Sequence, residues 1–231
     1  MGQPKSVARE YLEAILVAAL FLQFTNTFVL QAFYIPSGSM EDTLLIGDHL
    51  FANRFIFGAA ARDWERKVLP QREIRRGDIV VFRSVENPRM DLVKRVIGLA
   101  GDKIAVVDKR LYINDRPVDD SAFAVHKDPA VHKSQPYYFD PLHGRDNFLL
   151  DRVPPGHVFC MGDNRDNSHD SRFWGPLPEH LVKGRAGFIY WSYEGGNYEQ
   201  TDVGQKVQDF GKTLLRFFPN TRWRRTFRLI R

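Results

Sequence analysis

The sequence predicts a mainly β protein, in which an N-terminal apolar helix leads into an antiparallel β core interrupted by a small inserted segment. Three observations carry this reading. Residues 14–35 contain no charged side chain. From Asp48 onward, short runs rich in Val, Ile and Phe recur between turn signals. A polar, proline-rich stretch from about Ala100 to Pro155 divides those runs into two groups. At 231 residues, with 43% hydrophobic residues and a net charge of +5, the chain is long enough for one sizeable core plus an anchor or small appended domain. The single cysteine, Cys160, excludes an intrachain disulfide. In the apolar run Val158-Phe159-Cys160-Met161 it reads as a space-filling residue rather than a catalytic thiol.

As a helix rising about 1.5 Å per residue, the 22 residues from Ala14 to Ile35 would extend roughly 33 Å, the thickness of a bilayer core. That predicts a transmembrane anchor. No small-x-small site follows closely, which argues against a cleaved signal peptide. Lys5 and Arg9 precede the span and no Lys or Arg follows until Arg54, so the N-terminus is expected in the cytoplasm and the remainder outside. Pro36 lacks an N–H and disfavours helix at Ile35, so the helix is expected to stop there, making 1–35 the N-terminus and anchor.

Strands are expected over His49 to Phe57, Asp78 to Arg83, Leu92 to Leu99, Lys103 to Val107, Leu111 to Asn114, His157 to Met161 and Val182 to Tyr193. Arg76-Gly77-Asp78 and Gly101-Asp102-Lys103 read as turns, and Asp108-Lys109-Arg110 as a hairpin tip. Ala59 to Arg72 reads equally as a short helix or a loop. The core then comprises residues 36–99 and 156–195, the insertion 100–155 and the tail 196–231. From Lys206 to Arg231 the tail carries eight Lys or Arg and one Asp, interleaved with Phe210, Phe217, Phe218, Trp223 and Phe227. That mixture suits a phospholipid surface or a terminal helix packed on the domain; an outside location argues against nucleic acid.

Three segments carry chemistry. Ser39, in Ile35-Pro36-Ser37-Gly38-Ser39-Met40, reads as a nucleophile, which requires an activating base elsewhere. The candidate is Lys94, in Asp91-Leu92-Val93-Lys94-Arg95-Val96-Ile97-Gly98. Strand alternation puts Leu92, Lys94 and Val96 on one face and Arg95 on the other. Apolar neighbours supply the burial needed to lower a lysine pKa from its reference of about 10.4. The third segment, Gly162 to Arg172, is dense in Asp, Asn, Arg and His and reads as a hydrogen-bonded loop. Within it, Ser168-His169-Asp170 is no triad, because adjacent side chains on an extended segment point to opposite faces. Asp163-x-Arg165-x-Asn167 lacks the glycine and terminal glutamate of a calcium loop. The histidines show no zinc spacing, so neither metal nor cofactor is expected.

These three segments, in this order, resemble the signature boxes of bacterial type I signal peptidases, the membrane-bound Ser/Lys proteases that remove signal peptides from exported proteins. The resemblance runs from about Ile35 to Tyr190. It implies Ser39 Oγ as the attacking atom, Lys94 as base, the Ser39 N–H and Ser37 hydroxyl as oxyanion donors, and Ser168 as the residue that orients Lys94. Asp163, Arg165, Asp170 and Arg172 would brace the site, with Arg95 as a structural ion-pair partner. The insertion would form a cap-like β subdomain. Phe33, Ile35, Met40, Leu44, Val81 and Val93 would line two shallow apolar pockets for the residues one and three places before the scissile bond, so cleavage is expected after Ala-x-Ala. The implied setting is the bacterial plasma membrane, with a single span and the catalytic domain on the outer face, acting on exported preproteins. The sequence departs from the family where a proline commonly precedes the Thr-Leu pair, since it has Glu41-Asp42-Thr43-Leu44. Two alternatives stay open: another anchored Ser/Lys peptidase of this fold, such as a pilin-maturation enzyme, or a catalytically silent anchored binding protein.

Overall fold

The structure, a computed structural model, describes residues 6–25, 29–57, 71–132, 144–194 and 216–230. Helix α1 (Val7–Phe24) opens at Ser6 and buries none of its side chains against the rest of the chain. Leu12, Ile15, Leu16, Leu20, Phe21 and Phe24 all lie exposed along it. The expected 22-residue helix is not what forms. α1 ends at Phe24, with Arg9, Glu10 and Glu13 in its first half, and among the described residues no helix is long and apolar enough to cross a membrane. Leu30–Tyr34 is instead strand β1, paired antiparallel with β2 (Asp48–Asn53) from Leu30 opposite Asn53 to Tyr34 opposite His49. An uncharged run containing Phe and Tyr fits a half-buried strand as well as a helix, and the β2 ladder decides between them by taking up its backbone groups.

The remaining strands are β3 (Ile79–Arg83), β4 (Asp91–Gly98), β5 (Ile104–Val107), β6 (Arg110–Ile113), β7 (Arg116–Pro117), β8 (Phe148–Leu150), β9 (His157–Met161), β10 (Leu177–Pro178), β11 (Val182–Ser192) and β12 (Arg228–Leu229). The main sheet runs β1-β2-β11-β3-β4-β9-β10, with β12 added to β11, and its pairings are antiparallel. β3 is apolar at consecutive positions because both of its faces are covered. Ile79 and Val81 pack with Met40, Leu44, Leu50 and Ile189, while Val80 and Phe82 pack with Val96, Val158, Cys160 and Leu177.

The insertion builds its own sheet, β7-β6-β5-β8. Its hairpins turn through pairs of left-handed residues, Asp108-Lys109 (φ 46° and 69°) and Asn114-Asp115 (φ 54° and 60°). Two such residues make the type I′ geometry, whose twist matches the flanking strands. Ile104, Val106, Leu111 and Ile113 pack against Ile97, Phe159 and Met161, which joins the insertion to the main sheet. Residues 216–230 of the tail pack on the domain: a turn at Phe217–Asn220 leads to β12, which pairs with Phe188 and Ile189, and Ile230 is buried in the core. Most of the Ala59 to Arg72 stretch, and Lys206, Phe210 and Lys212, lie outside the described residues.

Candidate active site

The loop that carries Ser39 leaves β1 and returns to β2 through a closed neck. Ile35 N–H donates to Asp48 C=O at 2.9 Å and Gly47 N–H donates to Ile35 C=O at 3.1 Å. After extended Ser37, the chain makes one 3-10 turn at Gly38–Met40. Met40 and Leu44 are buried, so the loop is pinned by its apolar residues while Ser39 stays partly accessible. The opening N–H groups of such a turn, that of Ser39 among them, have no acceptor within it.

Lys94 reaches this loop from the middle of β4, where it pairs with Val80 of β3. Its Nζ lies 2.6 Å from Ser39 Oγ, in a hydrogen bond. The side chain is 3% exposed. Burial pulls its pKa down from 10.5 to about 8; Asp170 and, less strongly, Cys160 and Asp163 act the other way, while the Arg172 charge adds to the lowering. Ser37 Oγ is 3.5 Å from Ser39 Oγ, beside the atom that would attack a carbonyl. Cys160, fully buried on β9 opposite Val96 of β4, has its thiol pKa pushed up by desolvation, which leaves it inert as a nucleophile.

The polar loop braces this pair through two buried ion pairs. Arg95, on the face of β4 opposite Lys94, donates through Nε and Nη2 to the two Asp163 oxygens, both at 2.8 Å, and its guanidinium lies 4.3 Å from the Phe123 ring centroid. Thr43 Oγ1 donates to Asp163 at 2.6 Å, tying this pair to the nucleophile loop. Arg172 donates to both oxygens of Asp170 at 2.9 Å and to the carbonyls of Arg145 and Arg165. Burial alone would raise the Asp170 pKa, but the Arg172 charge and hydrogen bonds, the Gly162 N–H and Ser168 outweigh it and hold the carboxyl below its ordinary value. Arg165 is buried, donates to Gly162 C=O at 3.2 Å and pairs with Asp120 of the insertion.

Ser168 is buried, and its Oγ makes no hydrogen bond of ordinary geometry, so the expected bond to Lys94 is not formed. It flanks Gly162 together with the nucleophile: a Cβ at Gly162 would come within 2.2 Å of Ser168 Oγ and 2.4 Å of Ser39 C=O. Gly162→Ala is therefore expected to push the Ser39 loop and Ser168 apart. We expect a loss of more than about tenfold in kcat/KM, measured on folded protein with a peptide substrate.

All six residues expected to form the substrate pockets meet in one apolar cluster. Ile35, Met40, Leu44 and Val81 are fully buried, leaving Phe33 and Val93 as the partly accessible members. Asp42, where the family commonly has proline, adopts φ +72°. Proline is locked near −65°, so the loop here takes a path a proline would forbid. Sequence reasoning gave no role to Asn164 or Lys127, and marked Glu41 only as part of the departure from the family pattern. Asn164 donates its N–H to Ser39 C=O at 3.1 Å and its side-chain amide to Gly38 C=O and Glu41 at 3.2 Å; Lys127 of the insertion pairs with Glu41 at 2.7 Å. Asn164 lay within a recognised polar box, but nothing local to Glu41 or Lys127 signals that they meet.

The family described as signal peptidase, peptidase S26, matches residues 8–191. The signal peptidase I of Pseudomonas aeruginosa is 33% identical over 208 residues, which cover 80% of this chain and 72% of that protein. That of Aquifex aeolicus is 30% identical over 228 residues, covering 80% and 84% respectively. A crystal structure of a signal peptidase I from Enterococcus faecalis, 29% identical, overlaps 49% of this chain and 97% of its own at a TM-score of 0.39.

Proposed function

This chain belongs to the signal peptidase family, peptidase S26, a serine-type hydrolase acting on preproteins that carry signal peptides, and we propose that it does so with Ser39 as nucleophile and Lys94 as general base. The observation that carries the assignment is the 2.6 Å contact between Ser39 Oγ and a lysine whose burial brings its pKa to about 8. A neutral amine takes the Ser39 proton as Oγ attacks the scissile carbonyl, and the oxyanion is received by the Ser39 N–H and the Ser37 hydroxyl. The Lys94 ammonium then gives that proton to the departing amine, leaving the signal peptide esterified to Ser39. In the second half Lys94 deprotonates a water that attacks the ester, and the proton returns to Ser39 as the acid is released. During that half Ser39 Oγ is acylated; the buried Ser168 hydroxyl, which flanks Gly162 together with the Ser39 loop, is then the group that orients Lys94. Asp163, Arg95, Asp170, Arg172 and Arg165 act by holding the loop rather than by touching the substrate.

Phe33 and Val93, backed by the buried Ile35, Met40, Leu44 and Val81, accept small side chains one and three places before the scissile bond. Purified full-length chain in detergent is expected to cut a preprotein carrying Ala-x-Ala at that site, and to leave uncut one carrying a large side chain at the final position. Equal cutting of both would sink the specificity reading.

The exposed apolar residues of α1 attach the chain to the plasma membrane, and Lys5 and Arg9, with no further Lys or Arg before Arg54, favour a cytoplasmic N-terminus with the β domain on the outer side. The exposed Phe218 and Trp223 of the tail supply a second contact with phospholipid. Protease added to intact spheroplasts is expected to digest the β domain. Digestion only after lysis would reverse the proposed orientation.

A further inference from the structure

We propose that the C-terminal residues 216–230 form a strap that positions the nucleophile, with Arg225 and Arg222 as its positioning residues. The inference rests on the reading of Ser39 and Lys94 as the catalytic pair. Its starting point is Asp48, a carboxylate with 0% exposure at the neck of the Ser39 loop. Asp48 Oδ2 accepts the Leu45 N–H at 2.9 Å and Arg225 Nη2 at 2.6 Å; Asp48 Oδ1 accepts the Ser192 hydroxyl at 2.5 Å and Arg225 Nε at 3.3 Å, with Arg222 Nη2 3.7 Å away. The positive charge that compensates this buried carboxylate therefore comes from a segment far along the chain.

The same two arginines also hold the backbone of the loop itself. Arg225 Nη2 donates to Thr43 C=O at 2.9 Å, and Arg222 Nη2 donates to Ile46 C=O at 2.6 Å and to Tyr193 C=O at 3.2 Å. Thr43 stands four residues after Ser39, and its hydroxyl grips Asp163, the partner of Arg95 on the base's own strand. A continuous line of polar contacts thus runs from Arg225 through Thr43 and Asp163 to β4. Between the nucleophile and the strap, Leu44 N–H donates to Met40 C=O at 2.7 Å and closes the loop's inner turn. Gly47 lets the parts meet: at φ +90°, a Cβ there would lie 2.0 Å from Tyr193 C=O and 2.9 Å from Arg222 Nη2. β12 and buried Ile230 fasten the far end of the strap to the sheet, so Arg225 and Arg222 are held from a fixed base.

These contacts connect a terminal segment to the placement of Ser39 Oγ against Lys94 Nζ, a geometry in which small displacements cost large factors in rate. A merely structural role would show as lost folding stability alone. The test uses the full-length chain in detergent with a peptide substrate, comparing Arg225→Met, Arg225→Lys and the double variant Asp48→Asn with Arg225→Met. Arg225→Met is expected to lower kcat about tenfold or more with KM changed less than about twofold. Arg225→Lys keeps the charge and one donor, and is expected to recover part of kcat. The double variant removes the uncompensated carboxylate; its melting temperature is expected to return toward wild type while kcat stays low, because the bond to Thr43 C=O is still missing. Recovery of kcat together with stability in the double variant would overturn the proposal, as would an Arg225→Met enzyme with wild-type kcat. Ser39→Ala serves as the control: if it remains active, the catalytic assignment fails and not the strap, whereas an inactive Ser39→Ala beside a fully active Arg225→Met faults the strap alone.

Discussion

Ser39→Ala is expected to lower kcat/KM for preprotein cleavage on the order of 10⁴-fold or more, and Lys94→Met to lower it about as far, because the proposed nucleophile and base act as one unit. The two variants part company in stability. Ser39→Ala removes one partly accessible hydroxyl and should melt within a few degrees of wild type. Lys94→Met replaces a buried amine by an uncharged chain of similar length. In the wild type the fall of the Lys94 pKa from 10.5 to about 8 corresponds to a cost of roughly 3 kcal/mol at neutral pH. The sign follows from proton counting. Below about 8 both folded and unfolded chains carry the ammonium and the folded chain bears the full cost; between 8 and 10.5 the unfolded chain alone keeps the proton, so wild-type stability rises with pH; above 10.5 neither is charged and the cost is gone. Lys94→Met should therefore be the more stable protein at pH 7, by a margin that shrinks as pH rises toward 10.5. Thermal melts of both proteins across that range measure it, and a Lys94→Met enzyme that is active, or less stable than wild type at pH 7, would contradict the picture of a buried, strained base.

The parts of this site that were legible in the sequence are those with a local physical signature. Lys94 stands in an apolar strand whose alternation separates it from Arg95, and the structure puts the two on opposite faces, one against Ser39 and the other against Asp163. The Asp108-Lys109 hairpin tip could likewise be read from two polar residues between β runs. What escaped depends on partners distant along the chain. Leu30–Tyr34 continues an uncharged run and has no local feature that ends a helix; only its pairing with Asp48–Asn53 makes it a strand. Asp48 marks only the start of the strand-like runs in the sequence, and its arginine lies 177 positions away. The basic tail left two readings open, a phospholipid surface or a segment packed on the domain, because composition counts charges without their directions; Arg222 and Arg225 turn inward. Ser168 shows the same limit at shorter range: its place in the box could be matched, but not that its hydroxyl makes no hydrogen bond to the amine.

Activity is expected to rise with pH through the range around 8, because the proposed base is the neutral amine of Lys94. With a folded pKa of about 8, a log plot of kcat/KM should climb with unit slope below that value and level off above it. The position of the midpoint reports a balance that can be altered. Burial supplies the lowering, and Asp170, the strongest opposing charge, is neutralised in large part by the two hydrogen bonds from Arg172. Arg172→Met would leave Asp170 less compensated and move the midpoint upward, provided the domain still folds. Lys94→Arg separates a base from a fixed charge, because a guanidinium keeps its proton across the usable range and cannot accept one from Ser39. It should be as inactive as Lys94→Met at every pH. A profile flat from pH 6 to 10, or an active Lys94→Arg enzyme, would mean that the amine acts only as a positive charge beside Ser39. The proton would then have to leave through some other group, and among the side chains bordering the Ser39 loop Glu41, bridged to Lys127 and Asn164, would be the first to substitute.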